Sequence, residues 1–96
     1  MPKFQLGRTV VATPAAIAAV EAAGQDASFL LQKHASCDYG EVDAADARAN
    51  DAAIQSGGRL LSVYRTLLGV EVWVMTEEAD DDGGRVATTI LLPDEY

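Results

Sequence analysis

Two adjacent glycines, Gly57 and Gly58, separate stretches of different hydrophobic period, and this change constrains the fold more than any other feature of the chain. Before them, apolar residues recur at helical spacing. After them, apolar residues alternate, as side chains do on a pleated strand. Residues 60–66, 70–76 and 85–92 read as three strands. Leu67-Leu68-Gly69 makes a tight connection between the first two, with a glycine free to take the positive φ of a short hairpin. In 70–76, Val70, Val72 and Val74 share one face while Trp73 and Met75 share the other. A strand apolar on both faces belongs inside a sheet, with helices over one side. Residues 77–84 form an acidic turn ended by glycine, and Pro93 stops the last strand.

The stretch before the glycines carries helix boundaries with a physical cause. Residues 4–12 hold the β-branched run Thr9-Val10-Val11 and read as a strand, which Gly7 interrupts as a bulge or edge position would. Thr13-Pro14 pairs a hydroxyl N-cap with proline at the first helical position, opening a helix over 14–23 that Gly24 ends. Asp26 caps a second helix to Ala35, well buried because Phe29, Leu30 and Leu31 spread around it. Asp43 with Asp46 resembles a shortened capping box and opens a third helix to Gln55. Its face with Asp46, Arg48, Asn50 and Asp51 is expected to be wet. The element order is β-α-α-α-β-β-β: an α+β fold with three short helices on one face of a mostly antiparallel sheet. No repeat or linker divides residues 1–96, so a single domain is expected.

Composition narrows the function classes. The hydrophobic fraction is 49%, much of it alanine, which allows a folded domain with a modest large-residue core. Fifteen acidic against seven basic residues leave a net charge of −8. The basic residues are dispersed, so the field repels phosphate backbones and nucleic-acid binding is not expected. Cys37 is the single cysteine, excluding an internal disulfide and a multi-cysteine zinc site. No apolar run is long enough for a leader or a bilayer span, so a cytoplasmic, membrane-free protein is expected, without cofactor or metal.

Four groups of residues are candidates for chemistry. Glu77, Glu78, Asp80, Asp81 and Asp82 are the densest acidic group, but they lack the alternating oxygens, sixth-position glycine and distal glutamate of a calcium loop. A solvated turn accounts for them. His34, Cys37 and Asp38 are close enough in sequence to suggest a thiol with its base. A histidine at a helix end beside a buried thiol explains the same residues without catalysis. On the strands, Tyr64 and Thr66 share a face that Arg65 does not, and Thr88 and Thr89 point opposite ways. A shallow polar site on the open sheet face would use Arg65, Thr89 and a carboxylate, with Trp73 as the anchor for a partner. The binding set is then Tyr64, Arg65, Trp73, Glu77, Thr89 and Tyr96. The terminal Pro93-Asp94-Glu95-Tyr96 either docks to seal the sheet or offers itself as a peptide.

Several phrases carry a family resemblance. They are Leu6-Gly7-Arg8-Thr9-Val10-Val11-Ala12-Thr13-Pro14, Asp38-Tyr39-Gly40-Glu41-Val42-Asp43, Asn50-Asp51, and Arg59-Leu60-Leu61-Ser62-Val63-Tyr64-Arg65-Thr66. Trp73-Val74-Met75-Thr76-Glu77 and Thr88-Thr89-Ile90-Leu91-Leu92-Pro93-Asp94-Glu95-Tyr96 complete them. Together they resemble a family of small, uncharacterised bacterial proteins associated with plasmids and other mobile elements. Members of that family join the last two strands by a shorter connection than residues 78–84. The resemblance implies a context and no activity. The order of helices and strands is also similar, at the level of fold alone, to barnase-like and RelE-like ribonucleases.

Two functions follow as expectations. The first is a non-enzymatic acidic module that binds a protein partner of the host or its defences. The second is a ribonuclease or a degenerate relative of one, with Tyr64, Arg65 and Thr89 as its catalytic set. Such enzymes need a base, an acid and a cation for the phosphate, and one histidine on an acidic background supplies them poorly. Pairing of the 4–12 strand between two copies would make a homodimer, compatible with either.

Overall fold

The structure, a computed structural model, describes residues 4–96. The expectation of no leader rests in part on residues 1–3, which lie outside them. Strand β1 (Thr9–Ala12) is followed by helices α1 (Pro14–Ala22), α2 (Ala27–Ala35) and α3 (Ala44–Ser56). Strands β2 (Leu60–Arg65), β3 (Glu71–Thr76) and β4 (Ala87–Leu91) come next, and a single 3-10 turn, Pro93–Glu95, closes the chain. This is the α+β order that the periodicity predicts.

The helix starts are where their caps place them. Thr13 accepts from the Ala16 N–H at 3.1 Å, Asp26 from Ser28 at 2.9 Å and Asp43 from Asp46 at 2.7 Å. Each bond satisfies one of the donors that a first helical turn leaves free. Gly57 ends α3 in the left-handed conformation at φ 84°.

The sheet order is β1-β4-β3-β2. The pairings β2–β3 and β3–β4 are antiparallel, whereas β1 lies parallel to β4 with Thr9 opposite Ala87. The sheet is therefore mixed, mostly antiparallel as expected, with one parallel edge supplied by the crossover through the helices. Strand β1 is shorter than residues 4–12. Gly7 has φ +96°, and a Cβ there would approach the Arg85 carbonyl oxygen to 2.8 Å, so regular pairing begins only beyond it. Strand β4 likewise begins at Ala87 rather than at Arg85.

Alternation divides the two faces. Leu60, Tyr64, Val72, Val74 and Ile90 point toward the helices and meet Ala16, Val20, Leu30 and Ala53 in the core. Helix α1 packs on β4, α2 on β3 and α3 on β2. The opposite face carries Val63, Arg65, Trp73, Met75, Thr89 and Leu91, and the 3-10 turn at the end of the chain packs on it against β3. Among the described residues, no helix is long and apolar enough to cross a membrane.

Two polar side chains inside the fold are bound entirely by backbone. Asn50, expected on the wet face of α3, is buried instead. Its amide donates to the Leu61 carbonyl at 2.8 Å and accepts from the Leu61 N–H at 3.1 Å, so it imitates a neighbouring strand along β2. Arg85 is also buried, and its guanidinium donates to the carbonyls of Gly58, Glu77 and Ala53 at 2.7, 2.9 and 3.0 Å. Near the C-terminal end of α3, the Ala53 carbonyl thus receives a cation beside the Gly57 N–H, where the helix dipole favours positive charge. Burial lowers the Arg85 pKa, but guanidinium basicity is far too high for loss of charge.

Candidate functional site

The open sheet face holds the candidate site. Its centre is Trp73, half-buried on β3 between Val63 of β2 and Leu91 of β4. The terminal Tyr96 folds onto it edge-on, with ring centroids 5.6 Å apart. Arg59 holds that ring in place: its guanidinium lies 5.8 Å from the Tyr96 centroid and donates to the Tyr96 hydroxyl. The same guanidinium reaches the Met75 sulfur at 3.5 Å. The chain terminus is thus docked on the sheet rather than held out as a peptide.

Beside Tyr96 the face deepens into a groove of about 460 Å³. Its floor is Leu61, Val63 and Met75, its acidic wall includes Glu41 and Asp46, and Arg59 with Tyr96 forms the opposite wall. The acidic wall exists because Asp43 starts α3 next to the loop that runs along β2. An apolar floor with carboxylates on one side suits an apolar side chain that neighbours a positive charge.

The six expected binding residues are not one constellation. Trp73 and Tyr96 are together. Arg65, at the end of β2, is clamped by Glu41 at 3.1 Å and Glu71 at 3.5 Å, and the Glu41 carboxylate raises its pKa further. A guanidinium neutralised this way has little left for a phosphate. Thr89 stands opposite Met75, well along the sheet from Arg65. Glu77 follows β3 at the end away from Arg65, roughly 20 Å along the strand. Tyr64 faces the helices, is buried, and donates its hydroxyl to the Asp38 carbonyl at 2.5 Å. Burial raises its phenol pKa. The ribonuclease trio of Tyr64, Arg65 and Thr89 is therefore split between two faces of the sheet. The residues that sequence reasoning missed are Arg59, Glu41, Leu61 and Val63. For the last two the strand alternation was the available signal.

His34 is fully buried, and both its ring nitrogens meet hydroxyls rather than the Cys37 thiol. Its Nδ1 meets the Ser62 hydroxyl at 2.5 Å and its Nε2 the Thr76 hydroxyl at 2.8 Å. Thr76 in turn meets Thr88 at 2.7 Å, and Thr88 donates to the Leu6 carbonyl at 2.6 Å. A carbonyl can only accept, so the directions from Thr88 back to the Nε2 atom of His34 follow from that last bond. Thr88 must accept from Thr76 and Thr76 from Nε2–H; in the neutral ring that burial favours, Nδ1 then accepts from Ser62. His34 is neutral with its proton on Nε2, and burial lowers its pKa to about 4. Asp38, the third member of the suggested thiol site, accepts from the Gly40 N–H and pairs with Lys33 at 3.8 Å.

The acidic turn is organised by one residue. Asp80 accepts from the N–H groups of Asp82 and Gly84 at 3.0 and 2.9 Å and pairs with Arg8 at 2.8 Å. Asp81 and Asp82 are exposed. Among the described residues, no group of three or more histidine, cysteine or carboxylate side chains is placed to hold a metal ion.

No protein-family model matches the chain, and neither a curated protein nor a solved structure matches it.

Proposed function

We propose that the chain is a small, non-enzymatic protein-binding module, carried by a mobile element and working in the cytoplasm on a host or defence protein. The observation that supports this is the groove on the open sheet face. Aromatic and aliphatic side chains form its floor and one end, carboxylates its rim, and α3 borders it through Asp46, Ala49 and Asn50. Interfaces concentrate their energy in such half-buried aromatic centres. The net charge of −8 adds long-range attraction for a basic partner and speeds encounter at low salt. Tyr96 and Arg59 hold one wall of the groove.

The test is capture of partners from bacterial lysate at low and at high salt, with the wild type beside Val63→Glu. A partner retained by the wild type at low salt, released by salt and missing from the variant supports the module. The reading fails when no salt-sensitive partner is captured, or when Val63→Glu captures the same partner equally well. The ribonuclease alternative has no comparable support, since its three residues do not meet and Arg65 is already paired. Incubation of total RNA with the wild type and Arg65→Ala tests it directly, and unchanged RNA is the expected result.

A further inference from the structure

We propose that the outer edge of β1 pairs with β1 of a second copy of this chain, antiparallel about a two-fold axis at Val10, so that one sheet continues through two molecules. The alternation of the ladder supports this. Thr9 donates inward to the Val86 carbonyl at 3.2 Å and Thr13 to the Ile90 carbonyl at 2.9 Å. Val11 shares their parity, so the N–H and C=O of Val10 are turned away from β4. Among the described residues, no turn, loop or side-chain group hydrogen-bonds to either. Val10 and Val11 are 45% and 44% exposed, an apolar pair left at a strand edge.

A largely apolar concavity of about 510 Å³ lies beside this edge, lined by Phe4, Gln5, Leu6, Gly7, Val10 and Ala35. An added strand sends alternate side chains over such a concavity. In the two-fold pairing the residue that arrives beside Val10 is the other copy's Val10, an apolar group for an apolar hollow. The ends of the strand favour the antiparallel sense. Arg8, 71% exposed along its side chain and paired with Asp80, precedes β1; Glu95, held by the Thr13 hydroxyl at 2.7 Å, stands at its far end. Antiparallel pairing directs each Arg8 toward the other copy's Glu95. Parallel pairing would set like beside like.

Four residues of pairing fall at the low end of interface sizes, below about 1,200 Å², so the dimer is a transient one. Two copies of charge −8 repel, and added salt therefore strengthens the association. That sign is opposite to the salt dependence of the partner complex proposed above, so the two readings fail separately.

The experiment is sedimentation equilibrium of the full chain from micromolar to millimolar concentration, at low and high salt, with two variants. Val10→Pro removes the outward N–H without removing any β1–β4 hydrogen bond. Val10→Lys keeps that N–H but sets two charges face to face across the axis. The expected result is a weak wild-type dimer, tightened by salt, abolished by Val10→Pro and weakened at least about tenfold by Val10→Lys. Should Val10→Pro fail to fold, Val10→Lys alone decides. A wild type that stays monomeric throughout overturns the proposal, as does association that neither folded variant changes, which would belong to another surface.

Discussion

Along the outer edge of β2, the peptide groups that face away from β3 are met at two successive positions. The Asn50 amide closes on Leu61, and the Tyr39–Glu41 segment runs parallel to Val63, donating from Glu41 N–H at 2.7 Å and accepting from Val63 N–H at 3.0 Å. Along the outer edge of β1, the Val10 peptide has no such cover among the described residues. Both are edges of the same sheet, and both carry exposed backbone that could pair with another chain. Covering an edge therefore takes specific residues, not just nearby chain. At β2 the requirement is a glycine and an asparagine. Gly40 has φ +75°, and a Cβ there would lie 2.0 Å from the Val63 oxygen, so only glycine allows the close parallel approach.

The largest expected effect follows from that contact. Gly40→Val should lower stability by about 3 kcal/mol or more, since it adds a backbone clash to a left-handed strain that valine tolerates poorly. Urea unfolding measures it. A loss under about 1 kcal/mol would mean that the segment simply moves aside and the covered edge is no fixed device.

Acid should weaken the other side of the sheet. The His34 chain of hydrogen bonds ends on the Leu6 carbonyl, just before β1, and Phe4 packs edge-on against the His34 ring at 5.2 Å. The folded pKa of about 4 lies below the unfolded value of 6.5. The unfolded chain therefore binds the proton first. Stability is complete above about pH 6.5 and falls as pH drops toward 4, by about 3 kcal/mol in all. Asp26 and Glu95 carry pKa values lowered by hydrogen bonds from the backbone of Ser28 and Leu92, so their contribution is lost further into acid. Thermal midpoints from pH 8 to 4 test the sign. His34→Gln, neutral at every pH in this range, should flatten the slope between about pH 6.5 and 4.

Asn50→Ala comes next. It strips both partners from the Leu61 peptide, and we expect a loss of about 2 kcal/mol with faster amide exchange at Leu61. Unchanged exchange at Leu61 would show that Asn50 is not what closes the β2 edge. Arg65→Ala is the smallest, with under about 1 kcal/mol expected, because its ion pairs with Glu41 and Glu71 are exposed.

The parts of the fold that were legible in the sequence are those governed by neighbours along the chain. Thr13, Asp26 and Asp43 cap their helices through bonds to residues two or three positions on, and the alternation of Val72, Trp73, Val74 and Met75 separates the sheet faces as observed. Trp73 was legible as a member of the open face for the same reason. What escaped depends on partners distant in the chain. Asn50 looked solvent-facing because it was grouped with Asp46, Arg48 and Asp51, and only the nearness of β2 gives its amide a role. Arg85 looked like one more dispersed charge until the end of α3 came to rest on it. His34 offered no local sign that Ser62, Thr76 and Thr88 would align beneath it. Tyr64, Arg65 and Thr89 were read from strand polarity, which says which way a side chain points but not which others it will meet.

The parallel register of β1 against β4 has a consequence for how the molecule is made. Thr9–Ala12 precedes Ala87–Leu91 in synthesis by all three helices and two strands, yet these are the strands that must lie side by side. The earlier strand has no place in the sheet until β4 has emerged, so completion of the sheet waits on that strand. During that interval Val10 and Val11 are sticky and unshielded, and the nascent chain is most vulnerable to aggregation or to a holding chaperone.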